Sequence, residues 1–541
     1  MLCKQMALVM GVAWCALLVA CDDETSRRPP QDGDISVAFD SGPPGDAATS
    51  DAASPPQDAV ASEAAVASDT GVDAVPLGMA FYVSPTGVDT NAGTMAAPLK
   101  TISKALSKAA ANDTVWLLDG VWDASVDPKL AVATAGPCTI DTGLVVPTGV
   151  TLAAVNARQA TVRVTGSYGV CLRGGTLKNI HFHRPTGQGG QIDVRGVGNV
   201  IEGSTFSGVY GCGGSGWEAA VYVDDAAKLT FSGGDLIDSA SDGLGCQFLT
   251  VRGASEVNVK QMKINSGKAA ITSGSGTIIV VDNSRVRLSG VTLTNVATAA
   301  RGMGLGVGHV VLDMGSEIRG FSNYGISVRG VGATIALTDS AIKNNGIGIG
   351  VEYGYSGGAV IEASNTLFDA NRLGVHQGTG TTAEVRLRNT RVINHTQAGI
   401  QMGTSAKLDI EGGEISANAQ EGVSVTTGAP GTCNVKLRNA KITNNGNVGV
   451  NIVCYSGSVA DLGTLLSPGA NTFTGNAVGV ALTAGGFVAT AVGNTWTPSV
   501  QAADALGKYS AVGAAAKVEV TSGMGVNYRV TTGTLRLAEN P

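Results

Sequence analysis

The chain has 541 residues, of which 76 are glycine, with only 5% aromatic and 15% charged side chains. This is the composition of a chain that alternates short strands with turns. Its formal net charge of -7 comes from the segment before residue 79, so the rest is nearly neutral and nucleic acid is excluded as a partner.

Residues 1–20 carry one cation, Lys4, ahead of an apolar stretch, Met6 to Ala20, and are expected to be a cleaved export signal. The final residues Leu18-Val19-Ala20-Cys21 resemble a bacterial lipobox, which implies lipidation of Cys21 and attachment to a membrane through the lipid. Asp22 and Asp23 resemble an inner-membrane retention signal, but which membrane and leaflet is left open. Residues 21–78 are rich in Asp, Ala, Ser and paired prolines, with twelve acidic residues against Arg27 and Arg28. Such a segment cannot bury a core and reads as a disordered stalk. A flexible tether of this length reaches about 40 Å and holds the remainder of the chain away from the membrane.

Residues 79–541 read as one domain: an opening part (80–135), repeat coils (136–500) and a C-terminal cap (501–541). The opening contains Phe81-Tyr82-Val83-Ser84-Pro85-Thr86-Gly87-Val88-Asp89-Thr90-Asn91-Ala92-Gly93-Thr94, then Pro98-Leu99-Lys100-Thr101-Ile102 and Ala105-Leu106. It resembles the opening motif of a large bacterial family of β-helix domains of unknown function, also shared by some polysaccharide lyases. The resemblance runs to about Tyr509 and includes Asn112-Asp113-Thr114-Val115-Trp116-Leu117 as a first strand and Gly493-Asn494-Thr495-Trp496 in the closing coils. It implies a right-handed parallel β-helix of the pectate-lyase type and is weak on activity. Ile102, Ala105, Leu106 and Ala109 make one apolar helical face, expected to close the open end of the rod.

A glycine followed by a branched residue recurs at Gly325, Gly348, Gly374, Gly399, Gly422, Gly449 and Gly479, at intervals of 23, 26, 25, 23, 27 and 30 residues. A period in this range marks a solenoid, whose units bury their apolar faces only by stacking. Segments such as Glu384-Val385-Arg386-Leu387-Arg388-Asn389 alternate apolar with charged residues, so Val and Leu should point inward. A dozen to fifteen coils would make a rod of about 60 to 70 Å. Asn345, Asn371, Asn418 and Asn445 recur at turns and are expected to stack as hydrogen-bonded ladders.

Six cysteines lie beyond the signal and Cys21: Cys138, Cys171, Cys212, Cys246, Cys433 and Cys454. In an exported chain they are disulfide candidates, sequential pairing being one connectivity and buried thiols the alternative. Asp89 and Asn91 copy the first half of a calcium loop without its distal Glu, and the competing reading is a turn locked by Asx-type hydrogen bonds. Asp224, Asp225, Asp238 and Asp242, followed one turn later by Lys260, Lys263 and Lys268, are the candidate active site. In lyases of this fold, acidic residues hold calcium against a uronate carboxylate and a cationic side chain removes the adjacent proton. Solvated outer faces explain the same residues equally simply.

His181 and His183 share a strand face but lack a third zinc ligand. Gly302, Gly304, Gly306 and Gly308 mimic a dinucleotide loop without its βαβ unit. Arg386, Arg388, Arg391, Lys436, Arg438 and Lys441 fall at matched positions two turns apart, an arrangement that could form an anion-attracting stripe. Tyr324, Tyr353, Tyr355 and Tyr455 could offer rings to sugars. The expectation is an envelope lipoprotein whose β-helix serves as a glycan-binding or structural surface module. The alternative is a calcium-dependent polysaccharide lyase.

Overall fold

The computed structural model describes residues 78–131, 143–165, 168–185, 190–208, 219–236, 247–266, 276–295, 301–352, 357–427, 431–455, 457–464, 466–483, 488–491 and 494–496, with short strand segments from 509 to 536. Residues 1–77, with the expected export signal, Cys21 and the expected stalk up to its last residue, lie outside them.

The body is a right-handed parallel β-helix. Three sheets of 16, 16 and 15 strands run the length of the described coils. We call them sheet I (Ala80–Val83 to Val488–Thr490), sheet II (Gly120–Trp122 to Thr495–Trp496) and sheet III (beginning at Leu144–Val146). Each coil passes through III, I and II in turn, as in Ile400–Met402, Ala406–Glu411 and Glu414–Ser416. Strands of successive coils pair in parallel: Val385, Leu408 and Val435 lie over one another, as do Leu387, Ile410 and Leu437. All six are buried. The intervening Arg386, Asp409 and Lys436 form an outward column. Inside, Phe182, Phe206, Phe231 and Phe248, drawn from all three sheets, meet with ring centroids 5.4 to 5.7 Å apart.

Left-handed residues make the corners between sheets. Between I and II stand Asn365, Asn389, Gly412 and Asn439, and between II and III Asn344, Ala370, Asn394, Ala417 and Asn444, all with φ between 48° and 69°. Asparagine and glycine tolerate this region best, which explains the Asn-rich turns.

The residue after each II-to-III corner points inward and forms the ladder. The Oδ1 of Asn371 accepts from the N–H of Asn345 at 2.8 Å and from its Nδ2 at 3.0 Å, and Asn418, Asn445 and Asn476 repeat the pattern. His395 occupies the rung between Asn371 and Asn418. This histidine, and Asn476, extend a ladder that the asparagine spacing marks only in part.

At the N-terminal end, the helix Ile102–Leu106 packs Ile102, Ala105 and Leu106 inward against the strands Ala80–Val83, Thr114–Leu117 and Leu144–Val146. Thr101 caps it, its side chain accepting from the Lys104 N–H. At the other end, Ala516–Thr521 pairs in parallel with Val478–Thr483 of sheet III, and Tyr509–Ala511 pairs antiparallel with Ala516–Thr521. Among the described residues, no helix is long and apolar enough to cross a membrane.

Candidate functional site

The three sheets differ in their outward faces. On sheets I and II the outward side chains are mostly solvated, whereas on sheet III Asp193, Tyr222, Thr250 and Ser327 are buried although they point away from the core. A charged residue follows the last inward valine of several sheet III strands: Val194-Arg195, Val223-Asp224, Val251-Arg252, Val328-Arg329 and Val351-Glu352. Parallel register stacks these residues, so their charges meet.

In the N-terminal part of sheet III the charges alternate. Asp193 takes Arg173 at 3.3 Å and Arg195 at 3.1 Å, Arg195 reaches Asp224 at 3.4 Å, and Arg252 bridges Asp224 at 3.9 Å and Asp282 at 3.1 Å. The Tyr222 hydroxyl donates to Asp224 at 3.0 Å. Burial, then the Asp224 charge, pushes that phenol well above its usual range. Arg195 lies over the Tyr222 ring, 5.6 Å from its centroid, and Tyr168 packs beside it at 5.5 Å. Buried pairs of this kind persist when each charge has several partners.

Further along, Arg301 and Arg329 converge on Glu352. Nη2 of Arg301 lies 3.1 Å and Nη2 of Arg329 3.0 Å from its carboxylate oxygens, and Ser327 Oγ donates to the same group. The Tyr324 ring stacks against Arg301, 5.2 Å from its guanidinium carbon. It also crosses the backbone at Gly350, where an added Cβ would lie 2.4 Å from the ring. Ile347, Leu373 and Ala398 form an outward apolar cluster with Tyr324, and His376 stands one coil beyond Gly350 in the same column. Burial, reinforced by Arg372, lowers the His376 pKa and favours its neutral ring.

The candidate lyase residues that the structure describes do not share one face. Asp224 sits at the end of a sheet III strand with its carboxylate between Arg195 and Arg252. Asp225 occupies the exposed turn beyond it with φ 65°. Lys260 ends a sheet I strand and Lys263 begins one of sheet II, so neither shares a face with Asp224. Spacing along the chain matched these residues by coil but did not reveal the corners between them. Asp238, Asp242 and Lys268 lie outside the described residues. Among those described, no group of three His, Cys, Asp or Glu is placed to hold a metal.

Asp89 is engaged by the chain itself: it accepts from the N–H groups of Lys100 at 3.0 Å and Thr101 at 2.8 Å and from the Thr101 hydroxyl at 3.0 Å. Burial raises its pKa, but these hydrogen bonds outweigh it and hold the carboxyl below its usual value. Asn91 Nδ2 donates to the Pro98 carbonyl at 2.9 Å. Both side chains therefore lock the opening turn, and no cation is needed to explain them.

The arginines of the expected cationic stripe are neutralised by carboxylates on their own and neighbouring coils, Asp409, Glu411 and Glu414 of the intervening coil among them. Arg386 pairs with Glu362 and Glu384, Arg388 with Asp409 and Glu411, Arg391 with Glu414, and Arg438 with Asp461. His181 and His183 do share one face, but they bond to Thr205 and Ser207 of the next coil. Gly302, Gly304 and Gly308 belong to strands of the solenoid rather than to a phosphate-binding loop. Of the tyrosines, Tyr324 lies in the sheet III cluster, Tyr455 follows the strand Val448–Val453, and Tyr353 and Tyr355 are outside the described residues. Cys433 and Cys454 are joined in a disulfide, with Cα atoms 6.1 Å apart. Cys171 is also disulfide-bonded. Cys138, Cys212 and Cys246 lie outside the described residues.

Fold and face together define a right-handed parallel β-helix with a charged, aromatic lateral surface. Residues 276–464 match the family model described as right handed beta helix region, and residues 85–135 match that of a protein of unknown function (DUF1565). Among solved structures, the chain is similar to the catalytic unit of an alpha-1,3-glucanase from Streptomyces thermodiastaticus, at 13% identity and TM-score 0.37 over 66% of this chain. It spans 62% of that glucanase unit. A pectate lyase matches at 13% identity and TM-score 0.28, covering 85% of this chain and 96% of its own. The Streptococcus pneumoniae surface protein and adhesin PfbA matches at 10% identity and TM-score 0.32, covering 73% and 92%. No curated protein matches the chain.

Proposed function

We propose that the protein is a lipid-anchored envelope protein whose β-helix binds an extended glycan along the outward face of sheet III. One observation carries the reading: guanidinium groups recur along this one face, at Arg195, Arg252, Arg301 and Arg329, and a tyrosine ring lies against two of them, Tyr222 at Arg195 and Tyr324 at Arg301. Coils repeat at about 4.8 Å, close to the advance of one sugar residue in an extended polymer. Guanidinium groups spaced by whole coils can therefore meet one extended chain at more than one of its sugars. Tyr324, half-buried, supplies a flat apolar surface for a sugar ring, whereas Tyr222 is buried and only backs Arg195; arginine supplies fixed donors for hydroxyl or acidic groups.

The test is a glycan array probed with the full chain carrying Cys21→Ser, to remove the anchor. Extended glycans are expected to bind, and an Arg252→Glu variant that keeps its melting temperature should lose most of that signal. An array without a single retained glycan would overturn the proposal. The anchor has its own test. Cys21→Ser should move the protein from the membrane fraction to the soluble fraction, and continued membrane retention would refute lipidation.

A further inference from the structure

We infer that Arg301, Arg329 and Glu352 form a discrete binding site for an anionic oxygen group, a carboxylate or a sulfate. The inference deepens the glycan reading and rests on it for the source of that group, but not for the binding of the anion itself.

Donors outnumber acceptors at this cluster. Both oxygens of Glu352 are occupied: Oε1 by Ser327 and Arg301, and Oε2 by Arg301 and Arg329. The carboxylate can balance only one of the two guanidinium charges. Nη1 of Arg301 and Nε of Arg329 are buried and have no hydrogen-bond partner. A guanidinium N–H buried without an acceptor forfeits its hydration with nothing in return, and such groups in folded proteins are usually completed by a water or an ion. Here two of them belong to the two cations that share one counter-charge.

The surroundings set what can complete them. Arg372 adds a third cation close enough to act on both Tyr324 and His376. A cation in the site would meet two guanidinium groups and a saturated carboxylate, with Arg372 adding positive charge nearby, so an anion is the charged ligand the electrostatics favour. The His376 Nδ1 is likewise buried without a partner. As a neutral ring it either donates to or accepts from a ligand atom. Gly350 leaves room for the Tyr324 ring to close one side. Planar guanidinium groups favour oxyanions that accept two parallel hydrogen bonds, which suits the carboxylate of an acidic sugar and the sulfate ester of a sulfated one.

Isothermal titration calorimetry of the full chain carrying Cys21→Ser, at constant ionic strength, tests this with sodium sulfate, sodium glucuronate and neutral glucose as probes. One saturable anion site is expected, with no heat from glucose. Arg329→Gln should weaken it at least tenfold. Glu352→Gln keeps an acceptor for the arginines but removes the competing charge, so it should tighten anion binding severalfold, an effect opposite to general loss of structure. Which anion binds more tightly tells acidic from sulfated sugars. Absent binding, or equal weak binding by the parent and both variants, would overturn the site. If the anion binds but the array retains no glycan, the site stands and the glycan function falls. If glycans bind unaffected by Arg329→Gln and by competing sulfate, the site falls and the function stands.

Discussion

Gly422→Ala should destabilise its coil by about 2 kcal/mol. A Cβ added at Gly422 would stand 2.6 Å from the Gly449 carbonyl oxygen and 2.8 Å from Asn445 Nδ2. Neither is the free end of a flexible side chain: one is the backbone of the next coil and the other a ladder rung. Gly325, Gly399 and Gly449 meet the next glycine carbonyl and the next asparagine in the same way, at 2.6 to 2.7 Å and 2.9 to 3.1 Å. The recurring glycine thus permits the close stacking of one coil on another at the inner corner of sheet III. The sign is diagnostic. At an unconstrained glycine, alanine stabilises by about 0.4–1 kcal/mol through the unfolded chain. Because solenoids open locally, the change should be read from hydrogen exchange of the amides in Val423–Thr426 and the paired strand Val448–Val453. Unchanged or slower exchange there would refute the packing argument.

Acidification from pH 7 to 4 should cost about 3 kcal/mol through His395 alone. Its ring is almost fully buried. Burial lowers its pKa to about 4, more than the Asn371 backbone and Asp369 raise it. The unfolded chain binds the proton near pH 6.5, so between 6.5 and about 4 the unfolded state holds more protons than the folded one. Stability is therefore complete above 6.5, falls as pH falls through this window, and levels off below the folded pKa. Burial is the cause: the ring is sealed between two rungs, with Nδ1 3.0 Å from the Asn371 amide nitrogen and 3.2 Å from its carbonyl oxygen and with Nε2 buried without a partner, so a charged ring loses its hydration there. His395→Asn supplies an amide oxygen in the same rung and should flatten the pH dependence of the urea midpoint across this window. An unaltered slope in that variant would exclude His395 as the titrating group.

These glycine and histidine positions differ in how far sequence periodicity reveals them. Spacing alone indicated the glycines and four asparagines, because each must recur once per coil. His395 escaped because it fills an asparagine position with a different residue, and only its place between Asn371 and Asn418 signals the role. The sheet III charges left a local trace, a charged residue directly after the inward valine. That trace acquires meaning only once register brings Arg195 between Asp193 and Asp224, or Arg301 and Arg329 onto Glu352.

The chain by itself determined the parallel β-helix, its inward Val, Ile and Leu columns, the helical cap and the asparagine turns. Each stems from a period, a left-handed turn or an alternation encoded within one coil. Tertiary structure alone decided which charges meet. Coils of 23 to 30 residues do not tie an offset along the chain to a place in the coil, so Asp224 and Lys260 fall on different sheets while Arg386 lands beside Asp409. Electrostatic partnership depends on distances of a few ångströms across coils, and a repeat of variable length does not specify those distances until the strands have settled into register.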